Sequence, residues 1–224
     1  MRERLTTPRA AAVAGIVFAV LFIISVGMMR LAIPEEIEGL DANTWIQNSA
    51  GMVQFALTLV PFAGIAFLWF MGVVRSHLGR LEDQLFSTVF FGSGLLFLAM
   101  IFSSAALAGG MISAYGLAPD ALKEGGVLTF GRTVMYIITN VYAIRMAGVF
   151  MISLGTLWTR TRTMPRLLVI LTYLLAIVLL LAINFSLWMI MAFPLWVFVV
   201  SIFILVASLR GKEAEAEGVV GAAE

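Results

Sequence analysis

The chain has 224 residues, 62% of them hydrophobic and 12% charged, with a mean hydropathy of +1.04. A soluble globular chain runs about half apolar and a quarter charged, so this composition belongs to an integral membrane protein. Fourteen basic and 13 acidic residues leave a net charge of +1, and there are no cysteines and one histidine. That excludes disulfides, thiol catalysis and iron–sulfur clusters, and it leaves no clustered basic surface for a nucleic-acid partner.

In chain order, MRERLTTPR precedes a run from Ala10 to Met29 that carries no charge before Arg30. About 20 residues suit one membrane crossing. The run exceeds a signal-peptide core and no small-residue cleavage site follows, so it predicts a retained first helix. Pro34 to Gln47 reads as a loop with four acids and no base, and Gly51 to Val74 as a second span holding Pro61, which a membrane helix tolerates as a kink. A short charged loop, Arg75 to Gln84, leads to a third span, Leu85 to Ala114. At 1.5 Å per residue that span measures about 45 Å and must tilt or project from the hydrocarbon.

Tyr115 to Gly126 is a polar connector with Pro119 and the Gly125-Gly126 pair as breakers. The fourth span, Val127 to Trp158, contains Arg132 and Arg145 and ends in the basic loop Thr159 to Arg166. From Leu167 to Leu209 no charge occurs, a length that suits two crossings of about 18 residues. Their turn is predicted near Asn184 to Phe193, with Pro194 in the first turn of the last helix. The small, polar tail from Arg210 to Glu224 predicts disorder. Residues 1–209 are then a single transmembrane helical domain.

Lys and Arg gather on the cytoplasmic side of membrane proteins. Placing the N-terminus there puts Arg2, Arg4, Arg9, Arg75, Arg80, Arg160, Arg162, Arg166, Arg210 and Lys212 on one side. Lys123, with Arg30 and Arg132 near the boundary, falls on the other. This bias requires six crossings, because a five-span chain would strand Arg210 and Lys212 outside. The predicted fold class is an all-α integral membrane protein: a six-helix bundle with both termini cytoplasmic, long third and fourth helices and an acidic outer loop.

Every acid can be placed outside the membrane core. Proton relays and cation-binding carboxylates of pumps and transporters therefore lack candidates. His77, the one histidine, falls in the first cytoplasmic loop. Two-histidine haem ligation, an HExxH zinc helix and a serine–histidine dyad are ruled out with it. No catalytic residue, metal site or cofactor is predicted.

Arg145 is the most informative residue. It lies about 22 Å along the helix from Arg160, where a central arginine is unfavourable by roughly 2.5–3.5 kcal/mol on insertion scales. Compensation could come from backbone carbonyls at a broken helix, a polar cluster, a cavity, an anionic substrate or a partner's carboxylate. Toward the other end of the span, Arg132, Tyr136 and Thr139 fall on one stripe, with Asn140 beside it. Thirteen residues at about 100° each turn Arg145 about 220° from Arg132, so the two arginines face different directions. Arg132 is expected to snorkel to headgroups. These five residues are the candidate substrate- or partner-binding set.

The third span carries Ala105, Gly109 and Ser113 beside Ala106, Gly110 and Ala114. Small residues four apart let helices approach closely, and packing against the fourth helix is the first expectation, dimerisation the second. Thirteen methionines and 17 phenylalanines are expected in lipid-facing and core packing rather than along a substrate path.

The stretch from Arg145 to Tyr173, RMAGVFMISLGTLWTRTRTMPRLLVILTY, resembles a segment of uncharacterised actinobacterial-type multi-pass membrane proteins. The resemblance rests on Arg145, Ser153, Arg160, Thr161, Pro165 and Arg166. It implies a bacterial cytoplasmic membrane and a helical hairpin, and transfers no reaction to any residue.

The expected function is that of a non-enzymatic accessory or interaction subunit in a larger membrane assembly. Its partners would be the lipid bilayer and either another membrane protein or further copies of the chain. The alternative is a carrier or channel for a small anionic or lipid-like molecule, with Arg145 as fixed charge. A third class is a lipid-modifying enzyme using Arg75, His77, Glu82 and Asp83 at headgroup level.

Overall fold

In a bilayer every backbone polar group must be satisfied within the protein, so apolar runs of this length form helices. The computed structural model describes the backbone of residues 7–32, 42–78, 84–117, 126–181 and 188–220. Side chains are described for those residues apart from 7–8, 42–48, 76–78, 84 and 211–220. The helices are α1 (Thr7–Ala32), α2 (Ala42–Leu78), α3 (Gln84–Leu117), α4 (Val127–Ile137), α5 (Ile144–Thr161), α6 (Arg166–Leu181) and α7 (Ala192–Val220). A π-turn, Ile138–Ala143, joins α4 to α5, and a 3₁₀ turn, Met189–Met191, leads into α7. No strand occurs among the described residues.

Among the described residues, five spans are long and apolar enough to cross a membrane: Arg9–Ala32, Ser49–Arg75, Leu85–Leu117, Val127–Thr161 and Met189–Arg210. The chain is a multi-pass, all-α membrane protein. The hairpin expected between Leu167 and Leu209 supplies one of these spans and one shorter helix. α6 has 16 residues, about 24 Å against a hydrocarbon core of about 30 Å. Residues 182–187, which include the first four residues of the expected turn, lie outside the described residues, and Pro194 sits in the first turn of α7 as expected.

Three boundaries differ from expectation. α2 starts at Ala42, so the second half of the acidic loop is helical, while residues 33–41 lie outside the described residues. α7 continues through Val220, where the sequence reads as disordered from Arg210. Its Lys-Glu-Ala-Glu-Ala-Glu segment has good helix formers and starts from a formed turn, so propagation is favourable. The fourth span is no uninterrupted α-helix, since the π-turn divides it.

α1 lies between α2 and α7; α3 connects α2 to the fourth span and α6 packs along α5. The Ser25 hydroxyl donates to the Ala56 carbonyl at 2.8 Å, tying α1 to antiparallel α2, and Arg9 Nε donates to Ser208 Oγ of α7 at 3.2 Å. At the same end Arg75 and Arg160 lie over the Phe91 and Phe86 rings, 5.0 and 4.6 Å from the centroids, an attraction of cation to π-face. Helices in lipid gain little from hydrophobic transfer and associate by close packing. Gly148 of α5 illustrates this: a Cβ there would lie 3.1 Å from the Ala176 carbonyl oxygen of α6.

The centre of the bundle is aromatic. Phe18 and Phe22 of α1, Phe67 and Phe70 of α2, Phe90 and Phe97 of α3, Phe150 of α5 and Phe193 of α7 are all fully buried. Ring centroids approach to 4.5 Å for Phe90–Phe150, 4.6 Å for Phe18–Phe67 and 4.7 Å for Phe97–Phe193, at tilted angles that suit the ring quadrupoles. Trp196 extends the cluster, and its indole N–H donates to the Thr172 hydroxyl of α6 at 2.9 Å. The phenylalanines are core packing, and they close the middle of the bundle.

A polar shell around the π-turn

The π-turn forms in the run Ile-Thr-Asn-Val-Tyr-Ala, rich in residues that are weak helix formers. Ile144 N–H donates to the Thr139 carbonyl five residues back, the bond that defines the wider turn. Two side chains use the backbone carbonyls nearby. Asn140 Nδ2 donates to the Tyr136 carbonyl at 3.2 Å, and Arg145 Nη1 donates to the Val141 carbonyl at 2.8 Å. Among the compensations open to Arg145, the structure therefore supplies a carbonyl at a broken helix.

This contact also changes the depth of the charge. Side chains on a helix tilt toward its N-terminus, and the Arg145 guanidinium is drawn that way by the Val141 carbonyl four residues back. Arg145 is half-buried.

Neighbouring helices complete the shell. Arg30, in the last turn of α1, donates from Nη2 to Asn140 Oδ1 at 3.3 Å across 110 residues of sequence. Thr139 Oγ1 donates to Ser104 Oγ of α3 at 2.8 Å, and Ser104 is buried. Asn140 is thus held at both ends of its amide, accepting from α1 and donating to its own helix. The depths agree: Arg30 is about 31 Å along α1 from Arg9, and Asn140 about 30 Å along its span from Arg160. The shell therefore lies at the end of the bundle opposite Arg9, Arg75 and Arg160, about one hydrocarbon thickness away.

Of the five candidate residues, Thr139, Asn140 and Arg145 are brought together by the π-turn. Arg132 and Tyr136 are half-buried on α4, two turns and one turn before Asn140, so the stripe is partly covered by protein. The wider turn accommodates an extra residue and sets back everything after it by about 100°. The 220° separation of Arg132 and Arg145 computed for a continuous α-helix therefore does not apply. Sequence reasoning missed Arg30 and Ser104 as members of the shell. The available signal was Asn140 inside a run of weak helix formers; the partners on α1 and α3 left none.

α3 packs against the fourth span as expected, but its small residues divide among different neighbours. A Cβ on Gly109 would meet Leu57 Cδ1 of α2 at 3.6 Å, while α3 meets the fourth span through Ser104 on Thr139, Phe90 on Phe150 and Met111 on Gly131 of α4. Ala105, Gly109 and Ala114 are half-buried, while Ala106, Gly110 and Ser113 are exposed. Of the headgroup-level group, Arg75 lies over Phe91. The His77 side chain and residues 79–83, with Glu82 and Asp83, lie outside the described residues.

Every Asp, every Glu and the one His fall outside the residues whose side chains are described. Among the described side chains the shell is therefore cationic, with two guanidiniums beside one π-turn and neutral hydroxyl and amide groups around them. Such a set can orient and hold an anion. It presents no described base to activate the Thr139–Ser104 hydroxyl pair.

Comparison with protein-family models, with curated proteins and with solved structures gives no match.

Proposed function

We propose that this chain is a non-enzymatic accessory subunit of a larger membrane assembly, docked through an exposed face of α3 against a helix of another membrane protein. The observation that carries this reading is a seam of small residues, Ala99, Ser103, Ala106, Gly110 and Ser113, all exposed. Their spacing of four and three residues keeps them on one side of the helix. A Cβ built on Gly110 meets nothing within 4 Å, so a neighbouring backbone could approach closely, the geometry that favours association in lipid. The Ser103 hydroxyl already donates to the Ala99 carbonyl at 2.8 Å, so its proton is satisfied within α3.

We place the chain in a bacterial cytoplasmic membrane with six crossings and both termini inside. The Arg9–Ser208 hydrogen bond supports an even number of crossings, since it draws the start of α1 and the end of the apolar part of α7 to one end. The positive charge at that end supports its cytoplasmic assignment.

The chain is free of cysteine, so single Ser113→Cys or Ala106→Cys variants report cleanly. Photo-cross-linking in native membranes from a benzophenone–maleimide attached to either cysteine, which inserts into any C–H bond within reach, is expected to yield one stoichiometric adduct, absent from Trp69→Cys on the lipid face of α2 and abolished when Gly110→Leu fills the seam. Monomer alone in native membranes refutes the reading; a homodimer replaces the foreign partner with a second copy. The second reading, a carrier or channel for a small anionic or lipid-like molecule, draws on Arg30 and Arg145 at the π-turn. It requires aqueous thiol reagents to label cysteines introduced beside Arg145, and the closed aromatic centre counts against a continuous water path.

A further inference from the structure

We infer that the π-turn is a one-residue register device: it lets α5 stay locked in the aromatic centre while α4 turns Gly131 and Met135, and not Arg132 and Tyr136, onto α3. The device is independent of the docking face and needs no ligand.

The face that an unbroken helix would present follows from Phe150. Its ring lies 4.5 Å from Phe90 of α3, so the Phe150 side of the fourth span faces α3. Arg132 is 18 residues earlier, which at about 3.6 residues per turn is five whole turns. Tyr136, 14 residues earlier, falls about 40° away. A continuous α-helix would therefore drive an arginine and a tyrosine into the α3 contact and carry Gly131 about 100° off it.

The structure has the other register. Gly131 and Met135 are the buried residues of α4, a Cβ on Gly131 would run into Met111 Sδ of α3, and Arg132 and Tyr136 are half-buried. The wide turn supplies the difference. Ile144 N–H donates to the Thr139 carbonyl in place of that of Asn140, so each residue of α4 takes the position its successor would hold in an α-helix.

Neither flanking helix can supply that rotation instead. Turning α5 would pull Phe150 from the Phe67, Phe90 and Phe193 rings and Gly148 from the Ala176 carbonyl. Turning α4 would put the Arg132 side chain where a single Cβ already collides with Met111, and a close-packed contact yields little. Asn140 and Arg145 then donate to the Tyr136 and Val141 carbonyls beside the opened turn, where buried acceptors need partners.

The test is removal of the extra residue. Without Val141 the span can run as one α-helix with Gly131 and Met135 still on α3. The full chain, free of cysteine, is purified in detergent and compared with deletions of Val141 and of Val149, the latter inside α5. Unfolding in mixed micelles reads stability, and the rate at which a water-soluble maleimide labels Arg132→Cys, Thr133→Cys and Met135→Cys reads the exposed face. With all residues present, Arg132→Cys and Thr133→Cys are expected to label faster than Met135→Cys; the opposite order overturns the inference whether or not a deletion variant folds. Deletion of Val141 is expected to keep that order and to lose less stability than deletion of Val149, which takes Gly148 off Ala176. If deletion of Val141 destabilises the chain as much as deletion of Val149, or makes Met135→Cys the fastest site, the inference is overturned.

Discussion

Phe150→Ala tests whether the aromatic centre holds the bundle together. Phe150 is fully buried, with its ring 4.5 Å from Phe90, 5.4 Å from Phe67, 5.7 Å from Phe193 and 6.3 Å from Trp196. In a soluble core the substitution removes about 3–5 kcal/mol, part of it transfer of the ring from water. Here the unfolded reference is a helix in lipid, as apolar as the core, so the transfer part nearly vanishes. What remains is the cavity. About 100 Å³ at about 24 cal/mol per Å³ is about 2.4 kcal/mol, and lost ring–ring contacts add about 1 kcal/mol. The expected loss of about 3 kcal/mol is a change of roughly 150-fold in the folded-to-unfolded ratio. Phe62→Ala is the control, since Phe62 is 61% exposed on the same kind of helix. It exchanges lipid contact for lipid contact and is expected to lose under about 0.5 kcal/mol. Unfolding in mixed micelles of a mild detergent and sodium dodecyl sulfate, followed by loss of helical circular dichroism, gives both values. Equal losses for the two variants would refute the claim that packing, and not apolar character, holds this centre.

The same unfolding assay checks three more substitutions. Arg145→Ala leaves the Val141 carbonyl at the π-turn without its side-chain donor and should cost about 1–2 kcal/mol, unless the turn relaxes to an α-helix, which cysteine accessibility along α5 would reveal as a change of exposed face. Gly15→Ala drives a Cβ into Ser201 and within 2.9 Å of Phe70, while Gly72→Ala meets nothing within 4 Å; the first should destabilise by about 1–3 kcal/mol, and the second should be neutral or stabilising by a few tenths. Ser201 Oγ is buried without a hydrogen-bond partner among the described residues, so Ser201→Ala should stabilise by up to about 1 kcal/mol, and a loss of that size would mean the hydroxyl is used.

The sequence determined by itself that this chain is a multi-pass membrane protein and where its first three spans lie, because in lipid each backbone must satisfy itself and helix formation follows local apolar character. The first three spans and the place of Pro194 were legible for that reason. The end of α7 was not, because helix propagation past Arg210 follows propensity and not hydropathy. The π-turn was not legible either. It is stabilised by Arg30 from 110 residues away and by Ser104 from 35, and no local pattern encodes such partners. The same holds for α3, whose glycines looked alike in sequence; tertiary packing turned Gly109 toward Leu57 and left Gly110 open. Arg145 shows both limits. Its cost was plain from the apolar run around it, but what offsets that cost depended on which carbonyls the interrupted helix exposed, and only the fold could decide that.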